Sequence, residues 1–364
     1  MSSIKAGAVA AALALCAAGN AGAWDRSKAE TFAVVPDIAP GIASTIEGLT
    51  VGPDGNVYTP SFGFNSAGAV PGSVPNGALF VFSPEGGLVR QVAIQGSSPH
   101  LLGLAFNPVN HKLLVCDFGA GKLLDVNPVT GASKLFYTAP AGAGLNALTF
   151  DRKGNVYVSD SFNGAVYTMG PNGESPKTWV STAPLGNTGN PASVELGPGT
   201  GLTPPFGANG VEFNNAGTAL YIANTAYHTI IKVPVNADGT AGTPSVLVTG
   251  INAPDGIAID KHDNIWVCAN QQDEIVVIDP TGKVLARLGD FDGIAEDGTH
   301  KGLLFPASPA FSADGKFLLV ANLALYLPYA GVPVTAVDSQ WTLKVRHYSV
   351  SRIPARIPGQ GDDD

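Results

Sequence analysis

The sequence is poor in charge, has few cysteines, and lacks the long apolar runs of membrane proteins. Only 13% of its 364 residues are charged, and 20 Lys and Arg are outnumbered by 29 Asp and Glu. This acidic balance argues against a nucleic acid partner. Beyond the N-terminus no stretch reaches the roughly 18 uninterrupted apolar residues of a membrane helix, so we expect no membrane span. The Gly-x-Ser-x-Gly elbow, the phosphate-binding loop and the His-Glu-x-x-His motif are also absent.

Glycine and proline, in contrast, are abundant. The chain contains 45 Gly and 28 Pro, enough to interrupt long helices every few residues. The glycines show no Gly-X-Y period, which excludes collagen. The hydrophobic share of 45% is sufficient for a core and excludes intrinsic disorder. What remains is a turn-rich, all-β chain.

The N-terminus is typical of an export signal. Lys5 precedes a short apolar run, and the Ala-Gly-Ala at residues 21–23 forms an A-x-A-like cleavage site. We therefore predict a signal peptide over residues 1–23, and a single mature domain over residues 24–364 that is periplasmic or secreted. A buried N-terminal helix and lipid attachment at Cys16 are the alternatives.

Six segments repeat one pattern of period-two alternation. Each consists of a short strand, a turn built on Asp/Asn-Gly or an equivalent, and a second strand, after which apolar runs supply a third strand and a weaker fourth. The segments begin at residues 47, 102, 146, 209, 255 and 307. This spacing is the pitch of a β-propeller blade, whereas a sandwich with coincidental turns does not explain six copies of one register. We predict an all-β, six-bladed β-propeller with four-stranded blades, the segment from Thr31 to Val35 completing the last blade as its outer strand.

Two cysteines, Cys116 and Cys268, follow the predicted signal peptide. An exported protein with two cysteines invites a disulfide. Both residues, however, occupy the same position in the second strands of blades 2 and 5, which are opposite each other in a ring of six. Their separation should far exceed the about 7 Å that a disulfide can bridge. We predict two buried free thiols.

The first residue of each repeat should face the central channel. Two carboxylates that converge there would repel each other and lose hydration, and a bound cation removes both problems. Two carboxylates with two amide carbonyls suit a hard ion such as Ca²⁺, whereas Zn²⁺ more usually recruits His or Cys. A solvated channel without an ion and an ion with a purely structural role are the alternatives. The six residues, called here the ring positions, are Glu47, Leu102, Asn146, Asn209, Asp255 and Ala307.

These residues carry a resemblance to a known family. With its Glu-Gly at 47–48, Asn-Gly-Val-Glu-Phe at 209–213 and Pro-Asp-Gly-Ile-Ala-Ile-Asp at 254–260, the chain resembles the senescence marker protein/gluconolactonase/luciferin-regenerating-enzyme family. The resemblance implies a lactone or ester hydrolase that depends on one divalent cation, Ca²⁺ first, with Zn²⁺ or Mn²⁺ as alternatives. It further implies that Asp255 also serves as general base. The metal ligands it implies are Glu47, Asn146, Asn209 and Asp255.

The chain departs from this family at two positions. Sugar-lactonase members have an Arg two residues before the third-blade Asn, where it contacts polyol substrates, and this chain has Gly144. Its absence argues against aldonolactones as substrates. Paraoxonase-like members have a His at the second-blade ring position, where this chain has Leu102. His100 lies two residues earlier on the same strand face, as a second candidate catalytic residue or a hydrogen-bonded pocket histidine.

Long insertions fall on the loops expected at the metal's end of the channel, over residues 61–78, 181–205, 289–304 and 323–340. Rigid blades with variable loops on one face are the usual layout of a substrate site. The insertions and their flanks bring aromatic rings and few cations, although many of these rings could simply pack the loops. We therefore expect a small-molecule substrate, an apolar or aromatic lactone or ester. The pocket residues predicted are Phe62, Phe118, Phe162, Tyr227 and Phe305.

The sequence thus predicts an exported, metal-dependent hydrolase of a lactone or related ester. A cation would polarise the carbonyl, while Asp255, or His100 through water, would activate the attacking water. Two alternatives stay open at this point. One is a non-catalytic exported ligand-binding propeller, and the other is a strictosidine-synthase-like enzyme, which needs no metal.

Overall fold

The computed structural model describes residues 26–187, 206–331 and 339–358. The predicted signal peptide and residues 188–205 and 332–338 of two insertions lie outside the described residues. In the part of the chain that is described, no helix has the length and apolar character needed to cross a membrane.

The described residues form six four-stranded antiparallel sheets, one for each predicted blade. The prediction of an all-β, six-bladed propeller is therefore confirmed. From the channel outwards, blade 1 is β2 (Thr50–Val51), β3 (Val57–Pro60), β6 (Ala78–Phe82) and β7 (Leu88–Ala93); blade 2 is β8 (Leu101–Phe106), β9 (Leu113–Asp117), β10 (Lys122–Val126) and β11 (Ser133–Thr138); and blade 3 is β12 (Leu145–Phe150), β13 (Val156–Asp160), β14 (Ala165–Met169) and β15 (Lys177–Ser181).

The second half of the ring has the same organisation. Blade 4 is β16 (Ala208–Phe213), β17 (Ala219–Asn224), β18 (Thr229–Pro234) and β19 (Ser245–Thr249); blade 5 is β20 (Pro254–Ile259), β21 (Ile265–Ala269), β22 (Glu274–Ile278) and β23 (Val284–Leu288); and blade 6 is β26 (Pro306–Phe311), β27 (Phe317–Asn322), β28 (Ser349–Pro354) and β1 (Glu30–Val34). Two small hairpins, β4 (Phe64–Asn65) with β5 (Gly68–Ala69) and β24 (Phe291–Ile294) with β25 (His300–Gly302), lie in the insertions. A single helical turn, α1 (Ser339–Thr342), precedes β28.

The N-terminal strand closes the ring. Strand β1 pairs antiparallel with β28, with Thr31 opposite Ser351, and so supplies the outer strand of the last blade. This confirms the role predicted for the segment around Thr31. The ring is thus closed by strand pairing and not by a disulfide. Cys116 in β9 and Cys268 in β21 are free and fully buried, as predicted. Burial raises the pKa of both thiols.

Burial changes from the middle of each blade to its edge. Strands β9, β13 and β21 are buried at every position, because each blade packs against a neighbour on both faces. The outer strands β7 and β19 are exposed or half-buried at every position. This explains why the clearest apolar runs in the sequence belong to the middle strands and why the fourth strands give a weak signal.

The inner strands are irregular at the ring positions. The pairing register of β12, β16 and β20 shifts beside Asn146, Asn209 and Asp255. Such bulges re-aim a side chain, here towards the channel. Glycine follows two of these ring residues because the blades touch there: a Cβ on Gly210 would lie 2.3 Å from the carbonyl oxygen of Asp255.

A buried histidine in the β24–β25 hairpin predicts a pH-dependent stability. His300 is fully buried, with Nε2 2.9 Å from Ser349 Oγ. Burial lowers its pKa from 6.5 to about 4. Between these values the unfolded chain binds a proton that the folded chain excludes, so stability falls as the pH falls. The loss between pH 7 and pH 4 should reach about 3 kcal/mol.

The variant His300→Gln should remove this part of the pH dependence. Urea unfolding near pH 7 and near pH 4 measures it as a difference in the free energy of unfolding. The exposed His262 offers a matched control, since His262→Gln should keep the wild-type slope. A His300→Gln protein that loses as much stability as wild type on acidification would contradict the assignment.

Candidate metal centre and substrate cavity

A cavity of about 340 Å³ lies at one end of the central channel. It is lined by ring residues and by side chains from the loops above them. The ring residues that line it are Glu47, Leu102, Asn146, Asn209 and Asp255. Ala307 is fully buried in β26 and is not among the lining residues. The four candidate metal ligands are thus brought together from blades 1, 3, 4 and 5.

The two carboxylates of this ring are buried close together. Glu47 and Asp255 are 6% and 5% exposed. Burial, and then the charge of Asp255, raise the pKa of Glu47 well above its usual range, while a hydrogen bond from Asn146 partly offsets this. Burial likewise raises the pKa of Asp255, offset in part by hydrogen bonds from Asn270 and Asn209. Without a cation, the charged form of each group is unfavourable.

Asn209 presents a buried oxygen that has no hydrogen-bond partner in the described part of the chain. Its Nδ2 donates to Thr225 Oγ1 at 3.0 Å, and its Oδ1 is buried without a hydrogen bond. An unsatisfied buried acceptor costs about 1–3 kcal/mol, so such an atom calls for a ligand. A cation at the ring would satisfy it.

Asn270 orders the other side of the ring. Its Nδ2 donates to Asp255 Oδ2 at 3.0 Å and to the carbonyl oxygen of Pro306 at 3.4 Å. Its Oδ1 accepts a hydrogen bond from Gln271 Nε2 at 3.0 Å. Both Asn270 and Gln271 line the cavity. One oxygen of Asp255, Oδ2, is therefore held by a neutral donor.

The donor set fits a hard divalent cation. It contains two carboxylates and two amide side chains, and no Lys or Arg is among the described residues that line the cavity to balance the negative charge. Oxygen ligands of this kind suit Ca²⁺. Within the described ranges, no group of three or more His, Cys, Asp or Glu side chains forms a metal site. A cation at the ring would therefore depend on the two asparagines as well as on the carboxylates.

His100 lines the same cavity and is held in one orientation. Its Nδ1 lies 2.8 Å from the carbonyl oxygen of Phe62, and its ring stacks on Phe64 with centroids 4.6 Å apart. A carbonyl oxygen only accepts, so Nδ1 carries the proton and Nε2 keeps a lone pair in the neutral ring. Glycine makes room for this ring, because a Cβ on Gly63 would lie 2.9 Å from Nδ1.

One side of the cavity is a continuous aromatic wall. Phe62 meets Phe118 at 6.0 Å between ring centroids, Phe118 meets Phe162 at 5.3 Å, and Phe162 stacks on Phe206 at 5.8 Å. Phe162 is 40% exposed and so forms the lip of the cavity. The aromatic wall consists of Phe62, Phe64, Phe118, Phe162 and Phe206.

The aromatic wall fills the space beside Gly144. A Cβ at this position would lie 2.8 Å from Phe162 Cδ2 and 3.0 Å from Phe118 Cε2. A side chain at residue 144, where the sequence resemblance expects an arginine, has no room. Any side chain at residue 144 would have to displace these two phenyl rings.

The remaining apolar lining combines one further aromatic ring with aliphatic side chains. Phe305 lines the cavity, as do Leu323, Leu325, Leu327 and Ala330 from the loop that follows β27. Of the five predicted pocket residues, Phe62, Phe118, Phe162 and Phe305 lie at the cavity. Tyr227 is not among the described residues that line the cavity: it is buried after β17, where its backbone N–H donates to Asn224 Oδ1.

Comparison with known proteins finds a family match over part of the chain. Residues 204–289, which contain the strands of blades 4 and 5, match the family model of the SMP-30/Gluconolactonase/LRE-like region. The resemblance inferred from the sequence is confirmed over this quarter of the chain, which carries Asn209 and Asp255. No curated protein sequence matches the chain.

Solved structures of similar fold include three with related names. Regucalcin from Agrobacterium tumefaciens, described as a calcium-binding protein, has a TM-score of 0.59 at 16% identity, over 92% of this chain and 96% of its own. A gluconolactonase from Xanthomonas campestris has a TM-score of 0.55 at 13% identity, over 85% and 86%. A luciferin-regenerating enzyme has a TM-score of 0.57 at 14% identity, over 88% and 95%. At such identities the likeness shows the propeller fold.

Sequence reasoning missed Thr225 and Asn270. Each is the first residue after the second strand of its blade, β17 or β21, and Ser161 holds the same position after β13. The signal was available, because three consecutive blades place a small polar residue there, whereas blade 2 has Phe118. It was overlooked because only the first residue of each repeat was expected to face the channel.

Proposed function

We propose that this protein is an exported hydrolase of an apolar lactone or ester that depends on one divalent cation, most simply Ca²⁺. The observation that carries the proposal is the buried Oδ1 of Asn209, unpartnered beside two buried carboxylates and beneath an apolar cavity. Glu47, Asn146, Asn209 and Asp255 would hold the cation. Bound there, the cation would polarise a substrate carbonyl and stabilise the negative charge that develops on its oxygen.

The names of the related proteins support this class of activity. The match over residues 204–289 is to a gluconolactonase-containing family, and one structural relative is described as calcium-binding. A small-molecule substrate agrees with a cavity of about 340 Å³. Export to the periplasm or medium, and the limits of the mature domain at residues 24–364, remain predictions from the sequence.

We assign proton transfer to His100. With Nδ1–H donated to the Phe62 carbonyl, the lone pair of Nε2 is available to accept a proton from water. Asp255 fits this role less well, because Asn270 occupies its Oδ2 and the proposed cation would occupy the other oxygen. The aromatic and aliphatic walls would hold the apolar part of the substrate and exclude water from the reacting carbonyl.

A panel of lactones and esters, assayed with and without a chelator, tests the proposal. We expect hydrolysis of apolar lactones that disappears with the chelator and returns when Ca²⁺ is added. Metal analysis of the untreated protein should find about one divalent cation per chain.

Two results would count against the proposal. Turnover that survives complete chelation would contradict the metal dependence. A flat panel, combined with thermal stabilisation of the protein by the same compounds, would favour the non-catalytic binding protein instead.

A further inference from the structure

We infer that Thr225 and Asn270 are positioning residues that fix which atoms of Asn209 and Asp255 face the cation site. The inference rests on the proposed function, because it assumes that the ring binds a cation. Both residues are buried, 7% and 5% exposed, and both lie directly behind a proposed ligand of their own blade.

The hydrogen-bond polarity at Thr225 admits one arrangement. Thr225 Oγ1 lies 2.8 Å from the carbonyl oxygen of Pro254. This oxygen can only accept a hydrogen bond, so the Thr225 hydroxyl must donate its hydrogen to it. The hydroxyl can then only accept from Asn209, and the amide must present Nδ2 to it at 3.0 Å. The Oδ1 of Asn209 is thereby turned away from Thr225 and left as the free acceptor.

Asn270 acts on Asp255 by the same logic. The carbonyl oxygen of Pro306 can only accept a hydrogen bond, and the same is true of the Asp255 carboxylate. Both must therefore face the Nδ2 group of Asn270. The Oδ1 of Asn270 is then directed towards Gln271, whose Nε2 donates to it at 3.0 Å. Asn270 thus holds Oδ2 of Asp255 with a neutral donor and fixes how the carboxylate is turned towards the cation site.

The two residues also tie each ligand to the next blade. Pro254 precedes Asp255, so Thr225 joins the side chain of one proposed ligand to the backbone that carries another. Ser161 makes the same kind of link, with its Oγ 2.8 Å from the carbonyl oxygen of Ala208, but within the described ranges no hydrogen bond joins its side chain to a ring side chain. The link between blades is thus structural, and Thr225 and Asn270 add to it a contact with a proposed ligand.

Partners behind metal ligands typically account for about 10–100-fold in metal affinity. The test compares Thr225→Val, which removes the hydroxyl, with Thr225→Ser, which keeps it. The matched structural control is Ser161→Ala, which loses a link between blades but no contact with a ligand side chain. Calcium titration calorimetry on the full mature chain measures the Kd, and thermal unfolding in chelator reports the fold.

We expect Thr225→Val to weaken Ca²⁺ binding about tenfold or more, with Thr225→Ser and Ser161→Ala within about threefold of wild type. Asn270→Ala should behave like Thr225→Val. Equal Kd values for Thr225→Val and Ser161→Ala would overturn the inference, as would a Thr225→Ser protein that binds as weakly as Thr225→Val. If wild type binds no divalent cation, both this inference and the proposed metal dependence fail; if it binds Ca²⁺ but hydrolyses nothing, only the proposed activity fails.

Discussion

Asp255→Asn is expected to weaken cation binding and hydrolysis at least about 100-fold while leaving the propeller folded. The substitution keeps the size of the side chain and removes one of the two carboxylates of the ring. No Lys or Arg among the described lining residues balances the negative charge of these carboxylates, so a bound cation depends on both. We expect Ca²⁺ affinity to fall more than about 100-fold, and kcat/KM by on the order of 10² to 10³. Calorimetry and steady-state kinetics on an apolar lactone measure the two effects.

The stability of the Asp255→Asn protein should not fall, so a loss of binding or activity can be assigned to the site and not to the fold. In the absence of cation, the charge of Asp255 and the burial of Glu47 both raise the pKa of Glu47, so the two acids oppose each other in the folded state. Neutralising one relieves this conflict. The melting temperature of Asp255→Asn in chelator should therefore equal or exceed that of wild type.

Glu212→Gln is the control for the loss of a carboxylate elsewhere in the channel, because Glu212 is half-buried on an inner strand. Glu212 lies on the inner strand β16, and its Oε1 accepts from Thr149 Oγ1 at 2.7 Å, but it lines the opposite mouth of the channel. Burial raises its pKa to about 7. This variant should keep the wild-type Kd and kcat/KM. A folded Asp255→Asn protein with undiminished turnover would remove Asp255 from the site.

The blades could be predicted from the sequence because they depend on local signals. Strand, turn and strand recur with polar turns such as Pro53-Asp54-Gly55, and the register of these repeats identifies the ring residues Glu47, Asn146, Asn209 and Asp255 by counting alone. The position of the cysteines followed from the same register. No long-range information was needed for either result.

The residues around and behind the ring positions could not be predicted from the register of the repeats. Whether Tyr227 enters the cavity depends on how the loop after β17 packs, and the structure buries it elsewhere. The roles of Thr225 and Asn270 depend on carbonyl groups of the next blade, Pro254 and Pro306, which the sequence does not place beside them. Contacts across blade boundaries are set by tertiary packing, so they become visible only when the ring is closed.

The aromatic wall is expected to decide which lactones are hydrolysed. Burying a phenyl ring against an apolar group contributes about 1.5–3 kcal/mol, or roughly a 10- to 100-fold factor in kcat/KM. The double variant Phe118→Ala/Phe162→Ala should therefore lose at least about tenfold in kcat/KM for a lactone with an apolar chain or aryl group. Its activity on a polyhydroxylated lactone, which we expect to be low in wild type, should change less than about threefold, because hydroxyl groups gain little from phenyl contacts.

An arginine substitution at Gly144 tests the selectivity of the aromatic wall more directly. In wild type, Gly144→Arg should misfold or displace the wall, because its Cβ would meet both rings within 3.0 Å. In the double variant the rings are gone, and the same arginine has room to offer donors to substrate hydroxyls. The triple variant should shift the ratio of kcat/KM for polyhydroxylated over apolar lactone by more than about tenfold. Phe106→Ala, which breaks a ring pair with Tyr58 outside the cavity, is the control. The control should lower both activities equally, because it acts only through lost stability. If the double variant also lowers both activities equally, the aromatic wall packs the loops and does not select the substrate.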